Sequence, residues 1–261
     1  MSDYLVYTLL LTGQSEQLSG NITVNGICRV WALFLCSIIL LLLPREAVFS
    51  QEVLISSFST SVQDQDENVK QNILLACTKI NGSQIAHGSI FSFNDVVGEG
   101  SAKNGYVMGR VLYRDEVRYE SGGGLCQLSS TVFNALLLAG FTIIERHRHY
   151  QPVTYVPYGL DATIKYGKKN LRMKNVSEQT VRIEATINDK TLTVKILGYR
   201  SPGYRYEVYT EVEDIEIPFH EDRDRIRNAI SVYVYRRKFS GEKLLESFLL
   251  YKDFYPAVYI R

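Results

Sequence analysis

Cys126, His147, His149 and Asp161 are the residues of this sequence whose types and order could perform chemistry together. Thiol hydrolases use a cysteine at a helix N-terminus, a histidine on a following strand and an acidic residue on the strand after it. The histidine takes or shares the thiol proton, and the carboxylate fixes the imidazole tautomer. The order therefore predicts Cys126 as a nucleophile and Asp161 as the group that orients its base. Either His149 or His147 could be that base, because residues two apart on a strand share a face.

A run of three glycines, residues 122–124, stands directly before Cys126. Successive glycines are costly inside a regular element, so they indicate a sharp bend or the close approach of another group. From Leu128 onward apolar residues recur at helical spacing, and Gly140 lies where that helix should end. We therefore expect Cys126 at a helix N-terminus, where unpaired N–H groups and the helix dipole favour a thiolate.

Two simpler uses of Cys126 stay open. Free cysteine is among the most buried residue types, so this one could merely fill space in a tight turn. Together with the two histidines and Asp161 it could also ligate zinc, although the spacing is not that of a standard site. No metal or other cofactor is therefore assigned. The residues expected to contact a substrate are Gly122, Gly123, Gly124, Gln127 and Arg146.

The N-terminal part of the chain contains an apolar run, residues 30–43, that is interrupted only by Ser37 and preceded by Arg29. Its length suits the apolar region of a signal peptide better than the ~20 residues of a membrane-spanning helix. The expected cleavage site follows Ser50, and an uncleaved membrane anchor would give the same orientation. Residues 1–50 are thus interpreted as a leader, and the remainder is expected to be exported, in the cell wall or anchored at the membrane.

The composition indicates a globular protein and argues against a nucleic-acid-binding protein or a disulfide-rich scaffold. The chain is 46% hydrophobic and 22% charged with a net charge of +1, which suits a globular core. Its lysines and arginines are dispersed rather than interleaved with aromatic residues, so no nucleic-acid partner is expected. No cysteine pair has C-x-x-C spacing, and a disulfide scaffold is not expected. If the leader is removed, Cys77 and Cys126 remain.

Periodicity predicts an α+β fold with two main helices packed on a mostly antiparallel sheet. The first helix should be capped by Asp64 or Asp66, with Leu74 and Cys77 on its apolar face. Strands are predicted at residues 52–61, 106–113, 117–120, 141–149, 161–166, 170–174, 181–187 and 192–196. The predicted domains are an α+β domain at residues 51–200 and a small β-rich C-terminal appendage at residues 201–261.

Several collinear motifs strongly resemble the VanW family. They are GGGLCQLSST at residues 122–131, ERHRH at 145–149, PVTYVP at 152–157, GLDAT at 159–163 and, upstream, FSFNDVVG at 91–98. The resemblance covers roughly residues 54–198, and it departs from the family pattern at Tyr150, Leu125 and Leu128. It implies an exported or anchored bacterial envelope protein associated with vancomycin-resistance gene clusters. The tail at residues 232–260 resembles a divergent G5-type module, and no catalytic residue carries over from the family.

Two functions fit these observations. The first is an envelope enzyme that uses Cys126, a histidine and Asp161 on an amide or peptide bond of the cell wall. The second is a non-catalytic module that binds or scaffolds peptidoglycan or its precursors through a groove beside the glycines. A hydrogen bond between Cys126 and either histidine would favour the enzyme. The N-terminal segment would add a contact with the membrane if it stays uncleaved.

Overall fold

Two long helices and an antiparallel sheet form the centre of the fold. The computed structural model describes residues 51–113, 116–215 and 226–259, so the expected leader lies outside the described residues. In chain order the elements are β1 (Val53–Ser61), α1 (Glu67–Ile80), β2 (Gln84–Ile85), β3 (Ile90–Ser92), α2 (Phe93–Val97), β4 (Met108–Tyr113), β5 (Glu116–Ser121), α3 (Leu125–Leu138), β6 (Thr142–Glu145), β7 (Arg172–Lys174), β8 (Val181–Ile187), β9 (Thr191–Gly198), β10 (Arg205–Ile215), β11 (Ile226–Arg227), β12 (Ala229–Ser240), β13 (Lys243–Tyr255) and β14 (Val258–Tyr259). These elements confirm the predicted α+β class.

The main sheet has the strand order β1-β9-β8-β2, and each neighbouring pair is antiparallel. The predicted hairpin of β8 and β9 is confirmed, and its turn is closed by the Asn188 side chain, which accepts hydrogen bonds from two backbone N–H groups. Alternate residues of both strands are more deeply buried, because successive side chains point to opposite faces. Helix α1 contacts β8, and helix α3 contacts β1 and β9.

Helix α1 begins at the predicted cap. The Asp66 carboxylate accepts a hydrogen bond from the Val69 N–H at 2.8 Å, which satisfies one of the unpaired donors of the first turn. Cys77 lies in the core, and burial raises the pKa of its thiol to about 12. The expectation that Leu74 shares this face is wrong, since its side chain is 53% exposed. It follows Ile73 directly, and one step along a helix turns a side chain away from the buried stripe.

Helix α3 is buried on almost every side. Its residues from Leu125 to Leu137 are buried except Cys126, which is partly exposed. Helix α1 and strands β1, β9 and β10 pack around it. A buried helix needs hydrogen-bond partners for its polar side chains. The hydrogen bonds between these polar side chains and other segments therefore hold those segments beside Cys126.

A second antiparallel sheet, with the order β10-β12-β13, is formed by the C-terminal residues. Arg236 of β12 is buried and donates a hydrogen bond of 2.7 Å to the carbonyl oxygen of Phe141, just beyond α3. Val232 of the same strand packs in a small apolar cluster with Leu160. The inner face of this sheet therefore lies against the chain segment that carries Asp161.

Replacing Gly123 with alanine should destabilise the protein. A Cβ atom at this position would lie 2.7 Å from the backbone carbonyl carbon and oxygen of Gly109 on β4. Relieving this overlap requires a shift of the backbone of the strand or of the loop. We expect a loss of about 2 kcal/mol, or roughly 5 °C in Tm. Gly203→Ala is the matched control, because a Cβ there meets nothing within 4 Å. Equal melting temperatures for the two variants would show that the loop is only a flexible connector.

Candidate active site

The glycine turn presents Cys126 at the start of α3. Gly122 and Gly124 have φ angles of 79° and 102°, a region that residues with a Cβ rarely adopt. The side-chain amide of Asn72 donates a hydrogen bond to the Gly123 carbonyl oxygen at 3.1 Å and so ties the turn to α1. Cys126 is the second residue of the helix. The prediction of a cysteine at a helix N-terminus is confirmed.

Gln127 is almost fully buried beside Cys126 and borders the cleft onto which Cys126 opens. Its side-chain nitrogen donates to the Thr60 hydroxyl and the Ser61 carbonyl oxygen, and its oxygen accepts from Gln65. The residue is 1% exposed. Its amide group is therefore occupied by the protein, and a contact of Gln127 with substrate stays a prediction. It instead holds the first turn of α3 against the end of β1.

Residues 160–164 lie along α3 without forming the predicted strand. Asn134 donates a hydrogen bond to the Leu160 carbonyl oxygen at 2.7 Å, and the Ser130 hydroxyl accepts one from the Ala162 N–H at 2.9 Å. The Thr163 hydroxyl lies 3.5 Å from the Cys126 sulfur. The strand prediction failed because these backbone groups bond to helix side chains instead of a neighbouring strand. The same bonds place Asp161 close to the cysteine.

The Asp161 carboxylate is 1% exposed, and both of its oxygens accept hydrogen bonds. Oδ2 accepts from the backbone N–H of His149 at 2.6 Å and from its ring Nδ1 at 2.5 Å. Oδ1 accepts from the Arg146 guanidinium at 3.1 Å and the Tyr255 hydroxyl at 2.8 Å. Burial would raise the pKa of this carboxyl, but the hydrogen bond from His149 and the charge of Arg146 keep the pKa below its ordinary value.

His149 links the carboxylate to the thiol. Because an ionised carboxylate only accepts hydrogen bonds, Nδ1 of the ring carries a proton and Nε2 is left for Cys126. Burial disfavours the imidazolium, yet the hydrogen bonds with Asp161 and with Cys126 outweigh it and raise the pKa of His149 to about 9. The ring of Tyr155 packs edge-on against the imidazole with 6.5 Å between centroids. Contacts with Asp161, Cys126 and Tyr155 thus order the imidazole on three sides.

The Cys126 thiol is correspondingly activated. Burial alone would raise its pKa, but the hydrogen bond and the charge of His149 hold the pKa below the ordinary value, with further contributions from Thr163 and Ile164. A lowered thiol pKa beside a raised imidazole pKa favours a thiolate–imidazolium pair. Such a pair is a nucleophile with a proton donor next to it.

A cleft of about 310 Å³ opens onto this pair. Cys126 and His149 line it, together with the glycine turn and with apolar side chains that include Val111, Val153 and Tyr155. Arg110 also lines the cleft, and no acidic side chain is among the lining residues that the structure describes. Such a cleft can hold an extended, partly apolar group against the sulfur atom.

His147 does not belong to this site. Strand β6 ends at Glu145, so the predicted strand through residue 149 is wrong and the two histidines do not share a face. The Nε2 atom of His147 lies 3.0 Å from a carboxylate oxygen of Glu145, and its side chain lines a separate cavity with Arg148 and Lys169. The structure therefore selects His149 from the two candidate bases.

Arg146, expected at the substrate, is instead a buried structural cation. It donates hydrogen bonds to the Gly159 carbonyl oxygen at 2.9 Å, to Asp161, and to the Asp253 carboxylate at 2.7 Å. The ring of Tyr251 lies 4.7 Å from the guanidinium carbon. These partners occupy its donors, so Arg146 can act on the chemistry only through Asp161.

Sequence reasoning missed the residues of β13 that complete the site. Tyr251, Asp253 and Tyr255 contact Gly159, Arg146 and Asp161. Their alternation along one strand was a usable signal of a shared face. Nothing in their types indicated that this face meets a segment so far back in the chain.

Within residues 51–113, 116–215 and 226–259 no cluster of three or more His, Cys, Asp or Glu side chains has an arrangement suited to a metal ion. In that same part of the chain, no helix combines the length and apolar character needed to cross a bilayer. Cys77 and Cys126 are both free thiols.

Comparison with known proteins identifies the domain that contains this site. A family model described as VanW like protein matches residues 68–197. The chain belongs to the VanW family. Cys126, His149 and Asp161 all lie within the matched VanW region, whereas β10 to β14 follow it.

Two curated relatives share this region. Over 131 residues the chain is 34% identical to the uncharacterized protein YoaR of Bacillus subtilis, covering 50% of this chain and 43% of YoaR. Over 147 residues it is 30% identical to the vancomycin B-type resistance protein VanW of Enterococcus faecalis, covering 54% of each chain. The chain thus spans about half the length of the curated relatives it matches. No solved structure matches it.

Cys126 should be the reactive thiol of the folded protein. Because the pKa of Cys126 is lowered and the thiolate is the reacting form, iodoacetamide labelling should rise at a lower pH than the ~8.5 of a free cysteine. Cys77 should stay unlabelled, since burial raises its pKa to about 12. The measurement is labelling rate against pH, with the labelled cysteine identified by peptide mass spectrometry.

The two histidines provide a matched pair of variants for this experiment. His149→Gln should move the labelling curve to higher pH, because it removes the hydrogen bond and charge that favour the thiolate. His147→Gln should leave the curve unchanged, because His147 lines a different cavity. Labelling that begins only on unfolding, or equal effects of the two substitutions, would contradict the assignment.

Proposed function

We propose that this protein is an exported cysteine-dependent enzyme that cleaves or transfers an amide or peptide bond of peptidoglycan or its precursors. The observation that carries the proposal is that Cys126 and His149 line one open cleft, with the His149 ring held by the buried Asp161 carboxylate and the Cys126 pKa lowered by His149. A thiol that served only packing would not need a buried carboxylate to orient its neighbour. The geometry therefore supports a nucleophilic site more strongly than a binding groove alone.

The chemistry follows from these three groups. The Cys126 sulfur attacks the carbonyl carbon of the amide, and the proton on Nε2 of His149 passes to the leaving nitrogen as the C–N bond breaks. The product is a thioester on the sulfur atom. Water or a second amine then gives its proton to Nε2 and attacks the same carbon, and the C–S bond breaks to restore the thiolate. Asp161 keeps its carboxylate form throughout and holds the imidazole in one orientation.

The start of α3 supplies stabilisation for the developing oxyanion. The backbone N–H of Cys126 is at the second helical position, where a helix has no internal acceptor for it. The positive end of the helix dipole points in the same direction. A carbonyl carbon bonded to the sulfur atom would place its oxygen near these groups, which is the arrangement that favours acyl transfer.

The lining of the cleft supports an anionic peptide as the substrate. Arg110 and the His149 imidazolium contribute positive charge, and Val111 and Val153 contribute apolar surface. The stem peptides of peptidoglycan combine small apolar side chains with free carboxylates, so they match both features. The relative named for vancomycin resistance suggests that the reaction changes wall peptides in a way that bears on glycopeptide action.

A turnover experiment tests this proposal. The purified protein is incubated with soluble peptidoglycan fragments, and mass spectrometry follows both the fragments and a thioester on Cys126. Cys126→Ser should retain the fold and abolish turnover, because a serine hydroxyl is not ionised near neutral pH. Cys77→Ser is the control thiol variant and should retain turnover. Binding of fragments without any covalent change would instead support the non-catalytic module.

The proposed location has its own test. The apolar run at residues 30–43 predicts that a reporter joined to the C-terminus reaches the outside of the cytoplasmic membrane. Alkaline phosphatase fused there should be active in cells, and deletion of residues 30–43 should abolish that activity. An inactive fusion that is nevertheless stably produced would contradict export.

A further inference from the structure

The contacts of Asp161 extend beyond the part of the chain that matches the family model. That match ends at residue 197, whereas two groups that hold the catalytic carboxylate and its partner arginine come from β13. We propose that Tyr255 and Asp253 are positioning residues of the site, so that the active unit includes the C-terminal sheet. This proposal rests on the proposed function, since it concerns the same three groups.

Tyr255 acts directly on the carboxylate. Its hydroxyl donates to Oδ1 of Asp161 at 2.8 Å, while Oδ2 bonds to His149. Oδ1 also accepts a longer hydrogen bond from Arg146 at 3.1 Å, so Tyr255 is the second and closer donor on that oxygen and further restricts rotation of the carboxylate. Tyr255 is 1% exposed, so water does not readily replace its hydroxyl.

Asp253 acts through Arg146. The guanidinium is shared between Asp253 at 2.7 Å and Asp161 at 3.1 Å; Arg146 and Asp161 are almost fully buried, and the Asp253 side chain is 11% exposed. Without Asp253 the guanidinium would interact with Asp161 alone. The Asp161 carboxylate would then stabilise the His149 imidazolium less. The second carboxylate therefore balances the cation and leaves Asp161 free to stabilise the imidazolium.

The loop that carries Asp161 is fixed by the same sheet. The Tyr251 hydroxyl donates to the Gly159 carbonyl oxygen at 2.8 Å. Gly159 has a φ of +82°, and a Cβ on it would lie 2.8 Å from a methyl carbon of Val234 on β12. Strands β12 and β13 thus hold the backbone two residues before the carboxylate as well as the carboxylate itself.

The charged and titratable groups that face Asp161 come from several elements. Arg146 and His149 belong to the segment after β6, Cys126 belongs to α3, and Asp253 and Tyr255 belong to β13. Tyr155 and Tyr251 also lie near it. Burial and the charge of Asp161 raise the pKa of Tyr255 far above its ordinary value, so the hydroxyl remains a donor at every working pH.

Two nearly isosteric substitutions should move the pKa of His149 in opposite directions. Tyr255→Phe removes a donor from Asp161, which makes the carboxylate more basic and should raise the His149 pKa. Asp253→Asn removes a negative charge and turns Arg146 towards Asp161, so it should lower the His149 pKa. We expect changes on the order of half a pH unit in each case.

The measurement is an NMR titration of the His149 imidazole in the full chain, assigned with His149→Gln, alongside turnover and Tm. Tyr233→Phe is the matched control, because that hydroxyl bonds to Glu213 and Lys252 away from Asp161. It should leave the His149 pKa unchanged. A residue that served only packing would lower Tm without opposite shifts in the pKa.

The outcomes separate this proposal from the proposed function. Opposite shifts without any turnover on wall fragments would support the positioning residues and contradict the enzyme. Turnover with an unchanged His149 pKa in both variants would support the enzyme and overturn the positioning role. If one variant does not fold, the sign of the shift in the other decides.

Discussion

The buried carboxylate of Asp161 is the group on which the rest of this site depends. An ionised carboxylate that is 1% exposed is stable only when its oxygens are bonded to donors or cations. His149, Arg146 and Tyr255 supply those partners. Their arrangement fixes the imidazole tautomer, and the imidazole in turn favours the thiolate of Cys126. The need to pair the buried Asp161 carboxylate thus determines both the packing around it and the protonation of His149 and Cys126.

Helix α3 connects this requirement to the fold. Its apolar residues fill the core between the two sheets, while Ser130 and Asn134 bond to the backbone of residues 160–162. The N-terminus of the helix therefore positions Cys126, and its Ser130 and Asn134 side chains position the segment that carries Asp161. Because these bonds are buried, losing one would leave an unpaired polar group, which gives the local geometry little freedom. Such rigidity suits a site that must hold three groups in line.

Local pattern was enough to predict that Cys126 lies at a helix N-terminus, and the structure brings His149 and Asp161 together as the sequence order suggested. Helical periodicity, the glycine run and the strand-like stretches are properties of neighbouring residues, and they located α1, α3 and strands β8 and β9. The choice between His147 and His149 failed to follow from sequence because it required knowing that β6 ends at Glu145. The strand predicted at residues 161–166 failed because helix side chains bond to that backbone.

The sequence by itself determined the class of fold, the family and the order of the three chemical groups, since each is written in local spacing or in residue identity. Only the tertiary structure decided which histidine faces the thiol. It also decided that the donors of Arg146 and the side-chain amide of Gln127 are taken up by hydrogen bonds within the protein. It also brought Tyr255 to Asp161 and Asp253 to Arg146 across about a hundred residues of chain. The physical reason is that a buried charge takes its partners from whichever elements pack around it, and packing is not encoded at any one position.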